Sequence, residues 1–123
     1  MERVFAFYRL THGPEEPRDL LDALRSASTI PAVEPGCCSS SIWRNADESG
    51  AVLLMEEWKS PEELERHMRG PVFHRLLAVL ELSRTPPEIR YVQGARLRGV
   101  DWMAQVLGPG AGEPDDPQEL LER

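Results

Sequence analysis

The chain has 123 residues, a net charge of −7 and 41% hydrophobic residues, which suits one soluble domain with one core. That acidity, with no basic stripe to offset it, argues against binding to a nucleic-acid backbone. No apolar run approaches the roughly 20 residues that span a bilayer, so no membrane role is expected.

The start, Met1-Glu2-Arg3-Val4, lacks the charged, apolar and small-residue order of a signal peptide, and the expected location is cytoplasmic. Arg3 to Leu10 reads as a first strand. Phe5 and Phe7 fall on one face and Val4, Ala6, Tyr8 and Leu10 on the other, so both faces of the sheet need cover. A loop from His12 to Pro17 leads to a helix over Pro17 to Ala27, with Leu20, Leu21, Leu24 and Ala27 on one stripe. Ile30 to Gly36 is a proline-rich connector.

Cys37 to Arg44 is the second strand. Its cysteines are neighbours, expected as free thiols because adjacent strand residues point to opposite faces, and they match no zinc spacing. Ser39, Ser40 and Ser41 either line a cavity or mark an exposed edge. A turn at Asn45 to Gly50 feeds a third strand ending at Trp58, apolar on both faces.

Ser60-Pro61-Glu62-Glu63 then signals a helix start: a capping serine, proline at the first position and two carboxylates at the positive end of the dipole, with Glu63 placed to close a capping box. Leu64, His67 and Met68 share a face, so His67 should point inward. Gly70-Pro71 breaks the helix, and Phe73, Leu76, Leu77 and Leu80 continue a second piece. The fourth strand is expected from Glu88 to Leu97, with Gly94 at a bulge or bend. Beyond it, Asp101 to Leu107 could form a short docking turn, and the Gly-, Pro- and acid-rich stretch from Gly108 to Pro117 reads as disordered.

The order strand, helix, strand, strand, helix, strand is the split βαβ, ferredoxin-like α+β pattern. Residues 1–99 form this domain and 100–123 a tail. Two helices cover one sheet face, so a second copy across a two-fold axis is the expected cover for the other.

Gly36-Cys37-Cys38, Glu56-Glu57-Trp58, Ser60-Pro61-Glu62-Glu63-Leu64, His67 and Gly70-Pro71-Val72-Phe73 resemble the antibiotic biosynthesis monooxygenase family. The resemblance covers about residues 3 to 98 and implies a homodimeric α+β barrel. It also implies a cofactor-free monooxygenase that oxidises an aromatic, phenolic or quinol-like molecule with O2, with no metal and no bound cofactor. On that reading His67 is the base, because imidazole titrates near working pH. Tyr8 donates to the phenolate, and Trp43, Trp58 and Phe73 wall the pocket. Haem-degrading members of the superfamily carry an asparagine, a tryptophan and an axial histidine where this chain has Tyr8, His67 and Leu77. Leucine cannot ligate iron, so haem turnover is not expected. The alternative on the same fold is a non-catalytic ligand-binding or stress-response module.

Overall fold

The computed structural model describes residues 2–13, 17–29, 34–47, 50–94 and 100–108. In chain order they form β1 (Val4–Thr11), α1 (Pro17–Thr29), β2 (Cys37–Arg44), β3 (Ala51–Trp58), α2 (Pro61–Met68), α3 (Pro71–Leu80), β4 (Glu88–Gln93) and α4 (Val100–Leu107). The four strands make one antiparallel sheet in the order β2-β3-β1-β4. This is the α+β ferredoxin-like arrangement, with α2 and α3 sharing the place of its second helix.

Strand alternation sets the layers. Val4, Ala6, Tyr8 and Leu10 of β1 lie beside Val52, Leu54, Glu56 and Trp58 of β3, and all eight are buried. Leu20, Leu24 and Ala27 of α1, Leu64 of α2, and Leu76, Val79 and Leu80 of α3 close over them. The opposite face carries Phe5, Phe7, Leu53 and Met55, all half-buried, with exposed Trp43 and Val92. The Phe5 and Phe7 rings stack 6.5 Å apart on that outer face.

The break between α2 and α3 forms as its residues dictate. Ser60 is extended and its side chain accepts from the Glu63 N–H at 3.3 Å, a cap worth about 1 kcal/mol. The reciprocal half of the expected capping box is missing, because the Glu63 carboxylate turns to Arg66 at 3.1 Å. Pro71 opens α3 after Gly70, whose N–H bonds the His67 carbonyl at 3.0 Å.

Several boundaries differ from expectation. α1 runs two residues further, and β1 is displaced by one. β4 stops at Gln93 rather than Leu97 because Gly94, at φ 72°, turns the backbone out of the extended region; residues 95–97 lie outside the described part. The serine run sits on β2, which is an edge strand, with Ser39 exposed and Ser40 and Ser41 half-buried. The short turn near the tail is the helix α4, which buries no side chain fully, and Met103 and Ala104 are half-buried. Gly108 is buried, while the rest of the stretch expected to be disordered lies outside the described residues. Among the described residues no helix is long and apolar enough to cross a membrane.

Gly36 pins the connector before β2 against the start of α2. A Cβ there would stand 2.6 Å from the Glu63 Cβ, and the Gly36 carbonyl accepts from the Lys59 N–H at 2.8 Å. Gly36→Ala must therefore push α2 away, at an expected cost of about 1–3 kcal/mol. Denaturant titration measures it, and an unchanged midpoint would show that the connector gives way freely.

Candidate active site

β3 and α2 bring the chemistry together. Trp58 ends β3 on the inner face, and Ser60 starts α2 two residues later, so His67 returns over the tryptophan after two helical turns. The imidazole stacks on the Trp58 indole with ring centres 4.6 Å apart and planes 27° apart. Phe73, at the start of α3, meets it edge-on at 5.6 Å. Three of the expected site residues thus form one contact set.

The partner of His67 is not the expected Tyr8. Its Nδ1 lies 3.1 Å and 3.3 Å from the two carboxylate oxygens of Glu34, in the connector. A carboxylate only accepts, so Nδ1 carries a hydrogen, and in the neutral imidazole Nε2 then keeps its lone pair. Nε2 is buried and has no hydrogen-bond partner among the described residues. Tyr8 instead shares a hydrogen bond with Tyr91 of β4, the two hydroxyl oxygens 3.1 Å apart, and burial pushes its phenol well above the ordinary value.

Trp43 stands apart. Cys37 pairs with Trp58 and is inward, but a bulge between Cys37 and Ser39 shifts the register of β2 by one residue. A one-residue shift flips every later side chain. Trp43 therefore lies opposite Leu53 on the outer face, where its indole donates to Ser41 Oγ at 2.7 Å. There it borders a hollow of about 250 Å³ with Arg9 and Leu53, across the sheet from His67.

Two functional candidates escaped the sequence reading. Glu34 had no signal, since a proline-rich connector has no periodicity. Glu56 did: Val52, Leu54 and Trp58 at period two place it on the core face. It is fully buried, and its Oε1 accepts from Trp58 Nε1 at 3.1 Å while Oε2 has no partner among the described residues. Burial raises its carboxyl above the usual range, and the nearby Glu34 charge adds to this, against the pull of the Trp58 hydrogen bond and of His67. Cys37 borders the same region, and burial pushes its thiol up to about 11, so it stays a thiol. Both cysteines are free, Cys37 half-buried and Cys38 exposed. Among the described residues, no three His, Cys, Asp or Glu side chains are grouped as metal ligands. Leu77, on α3, is partly exposed.

A cleft of about 280 Å³ reaches His67 from outside, bordered by Glu34, Gly36, Glu63, Arg66, Gly70 and Val72. The Glu34–His67 hydrogen bond and the Glu63–Arg66 ion pair flank it.

The antibiotic biosynthesis monooxygenase family model matches residues 3–79, which span both strands and both helix pieces of this site. The chain belongs to that family. Among solved structures it is similar to a candidate antibiotic biosynthesis monooxygenase from Deinococcus radiodurans, at 20% identity and a TM-score of 0.69 over 78% of this chain and 96% of the other. It is also similar to Rv0793 from Mycobacterium tuberculosis, at 28% identity and a TM-score of 0.64 over 79% and 97% of the two chains. An uncharacterized Synechocystis protein is 33% identical over 58 residues, 46% of this chain, and the match spans 40% of that relative's length.

Glu56 binds its proton more tightly folded than unfolded. Its contribution to stability is fully present below the ordinary value near 4.5 and is lost as pH rises through the higher native value. Compared with Glu56→Gln, the unmodified protein should therefore lose stability as pH rises from about 4 to about 8. Denaturant midpoints across that range test it, and parallel profiles would show that Glu56 ionises as it does in solution.

Proposed function

We propose that this protein is a cofactor-independent monooxygenase that oxidises a phenolic or quinol-like aromatic molecule with O2. The observation that carries the reading is the His67 imidazole, oriented through Nδ1 by Glu34 and holding a buried, unpartnered Nε2. That is the arrangement of a general base with its orienting acid. The base takes the phenolic proton, and the phenolate supplies the electrons to O2. One oxygen atom enters the ring as a carbonyl, and the other leaves as water with the two hydrogens the substrate gives up. No outside reductant is needed. Trp58 and Phe73 hold the base and offer it an apolar wall, while Tyr8 and Tyr91 provide hydroxyls further along the same sheet face. The protein acts as a homodimer joined through the outer sheet face, where Phe5, Phe7, Leu53 and Met55 offer an apolar surface.

A non-catalytic ligand-binding module on the same fold is the second reading. It is favoured by the fact that the His67 side chain has no solvent-exposed surface.

Oxygen uptake separates the two. Metal-stripped, flavin-free protein is expected to consume O2 with at least one member of a panel of quinols and polycyclic phenols. His67→Ala should lower that rate by roughly 10²–10⁴-fold, as for loss of a general base. Silence across the panel would leave the binding module, and an undiminished rate in His67→Ala would remove this residue from the chemistry.

Light scattering at micromolar concentration should give twice the chain mass of 13.9 kDa, and Phe7→Glu should return it to the chain mass. A monomer in the unmodified protein would overturn the shared-sheet interface.

A further inference from the structure

We infer that Glu56 and His67 together form the seat for a single phenolic oxygen, the Glu56 carboxyl donating to that oxygen and His67 Nε2 accepting its proton. This deepens the phenol-oxidation reading and rests on it. It moves the donor role from Tyr8 to a residue that the sequence reading passed over.

The two groups share one wall. Glu56 Oε1 takes the Trp58 indole N–H at 3.1 Å, and the His67 ring lies on the face of the same indole. Each then has one polar atom left over, Glu56 Oε2 and His67 Nε2, both buried and both without a partner among the described residues. Buried polar atoms are nearly always satisfied, so two orphans beside one indole point to a ligand that satisfies them.

Their chemistry says what kind. In the neutral form that burial favours, Oε1 accepts from the Trp58 N–H as the carbonyl oxygen and the hydroxyl sits at Oε2. With Glu34 holding a hydrogen on Nδ1, Nε2 of the neutral imidazole is an acceptor. One donor and one acceptor are what a hydroxyl group needs: its oxygen accepts from Glu56 while its hydrogen goes to His67. When the proton crosses, Nε2 gains it, and the imidazolium is balanced by Glu34 on its other side. The new phenolate oxygen keeps the Glu56 hydrogen bond. A neutral acid can hold a phenolate, whereas an ionised one would repel it.

Burial favours the neutral acid. Facing it are His67 of α2, Glu34 of the connector, Cys37 of β2, Tyr8 of β1 and Tyr91 of β4. The thiol and both phenols are themselves held protonated by burial. The cleft of about 280 Å³ borders Glu34 and His67.

The test uses para-nitrophenol, whose anion alone absorbs in the visible, and involves no turnover. The unmodified protein should bind it as the anion at a pH where the free probe is still neutral. Glu56→Gln should keep this binding within about threefold, because Trp58 orients the amide oxygen and leaves the N–H2 at the Oε2 position, a neutral donor for a neutral donor. Glu56→Leu and His67→Ala should each weaken it roughly 10- to 100-fold. Infrared spectra should show the stretch of a neutral carboxylic acid at neutral pH in the unmodified protein and not in Glu56→Gln. Absence of binding, equal binding by Glu56→Leu, or tenfold tighter binding by Glu56→Gln (the mark of an ionised, repelling Glu56) would overturn the inference. Oxygen uptake by a protein that fails this binding test would leave the oxidation reading standing alone. Binding that obeys it without uptake on any panel member would remove oxidation and keep the seat.

Discussion

The site hangs on Trp58. Its indole edge holds Glu56 and its face holds His67, so one rigid ring fixes a carboxyl and an imidazole at once. Backbone geometry places the ring: β1–β3 pairing sets Trp58 opposite Val4, and the Lys59–Ser60 turn starts α2 immediately after it. The cap at Ser60 sets where the helix begins, and the start determines which face His67 occupies. Gly36 then brings the connector close enough for Glu34 to reach the imidazole. An error in any of these would displace both side chains, with Phe73 the further ring packed against His67.

Stability alone does not account for the residues chosen. Position 56 lies on the buried stripe that Leu54 and Val52 occupy one and two steps earlier, where an apolar side chain would pack without loss. A buried polar atom without a partner costs about 1–3 kcal/mol, and among the described residues there are two, on Glu56 and His67. Burial of an ionised carboxylate would cost far more, and burial raises the proton affinity of Glu56 accordingly. The Tyr8–Tyr91 pair shows the contrasting arrangement, in which two buried or half-buried hydroxyls satisfy each other. The same sheet face thus carries a closed polar pair towards β4 and an open one towards α2, and the open one is where a ligand gains most.

Much of the fold was legible because strands and helices announce themselves by period. The alternation in β1 and β3, the Ser-Pro-Glu-Glu helix start and the Gly-Pro break all state their local structure directly, and His67 was placed inward by its neighbours Leu64 and Met68. The site was legible only in part. Trp43 carried the right chemistry on the wrong face, because a bulge of one residue at Cys37 and Ser39 reverses the rest of β2 and leaves no mark in composition. Glu34 lies in a connector whose path depends on contacts with α2 rather than on any pattern of its own. Tyr8 looked like the natural partner of His67 because both point into one core, but Tyr91, two strand positions before Gln93, takes its hydroxyl.

Period two also ties the outer face to the site. The residues of β1 and β3 that alternate with Tyr8, Glu56 and Trp58 are Phe5, Phe7, Met55 and Glu57, so each strand serves both surfaces. Arg3 and Glu57 pair at the end of this outer face, with Glu57 half-buried between the two inward residues Glu56 and Trp58. A second sheet laid on the outer face would restrain β1 and β3 along the length that carries the acid and the indole, without contributing an atom to the cleft. Catalytic geometry tolerates little looseness, and side chains on strands inherit the rigidity of their backbone. Association through that face would act on the chemistry by holding its frame still, and substitutions at Phe5, Phe7 or Met55 would reach the site through the backbone of their own strands.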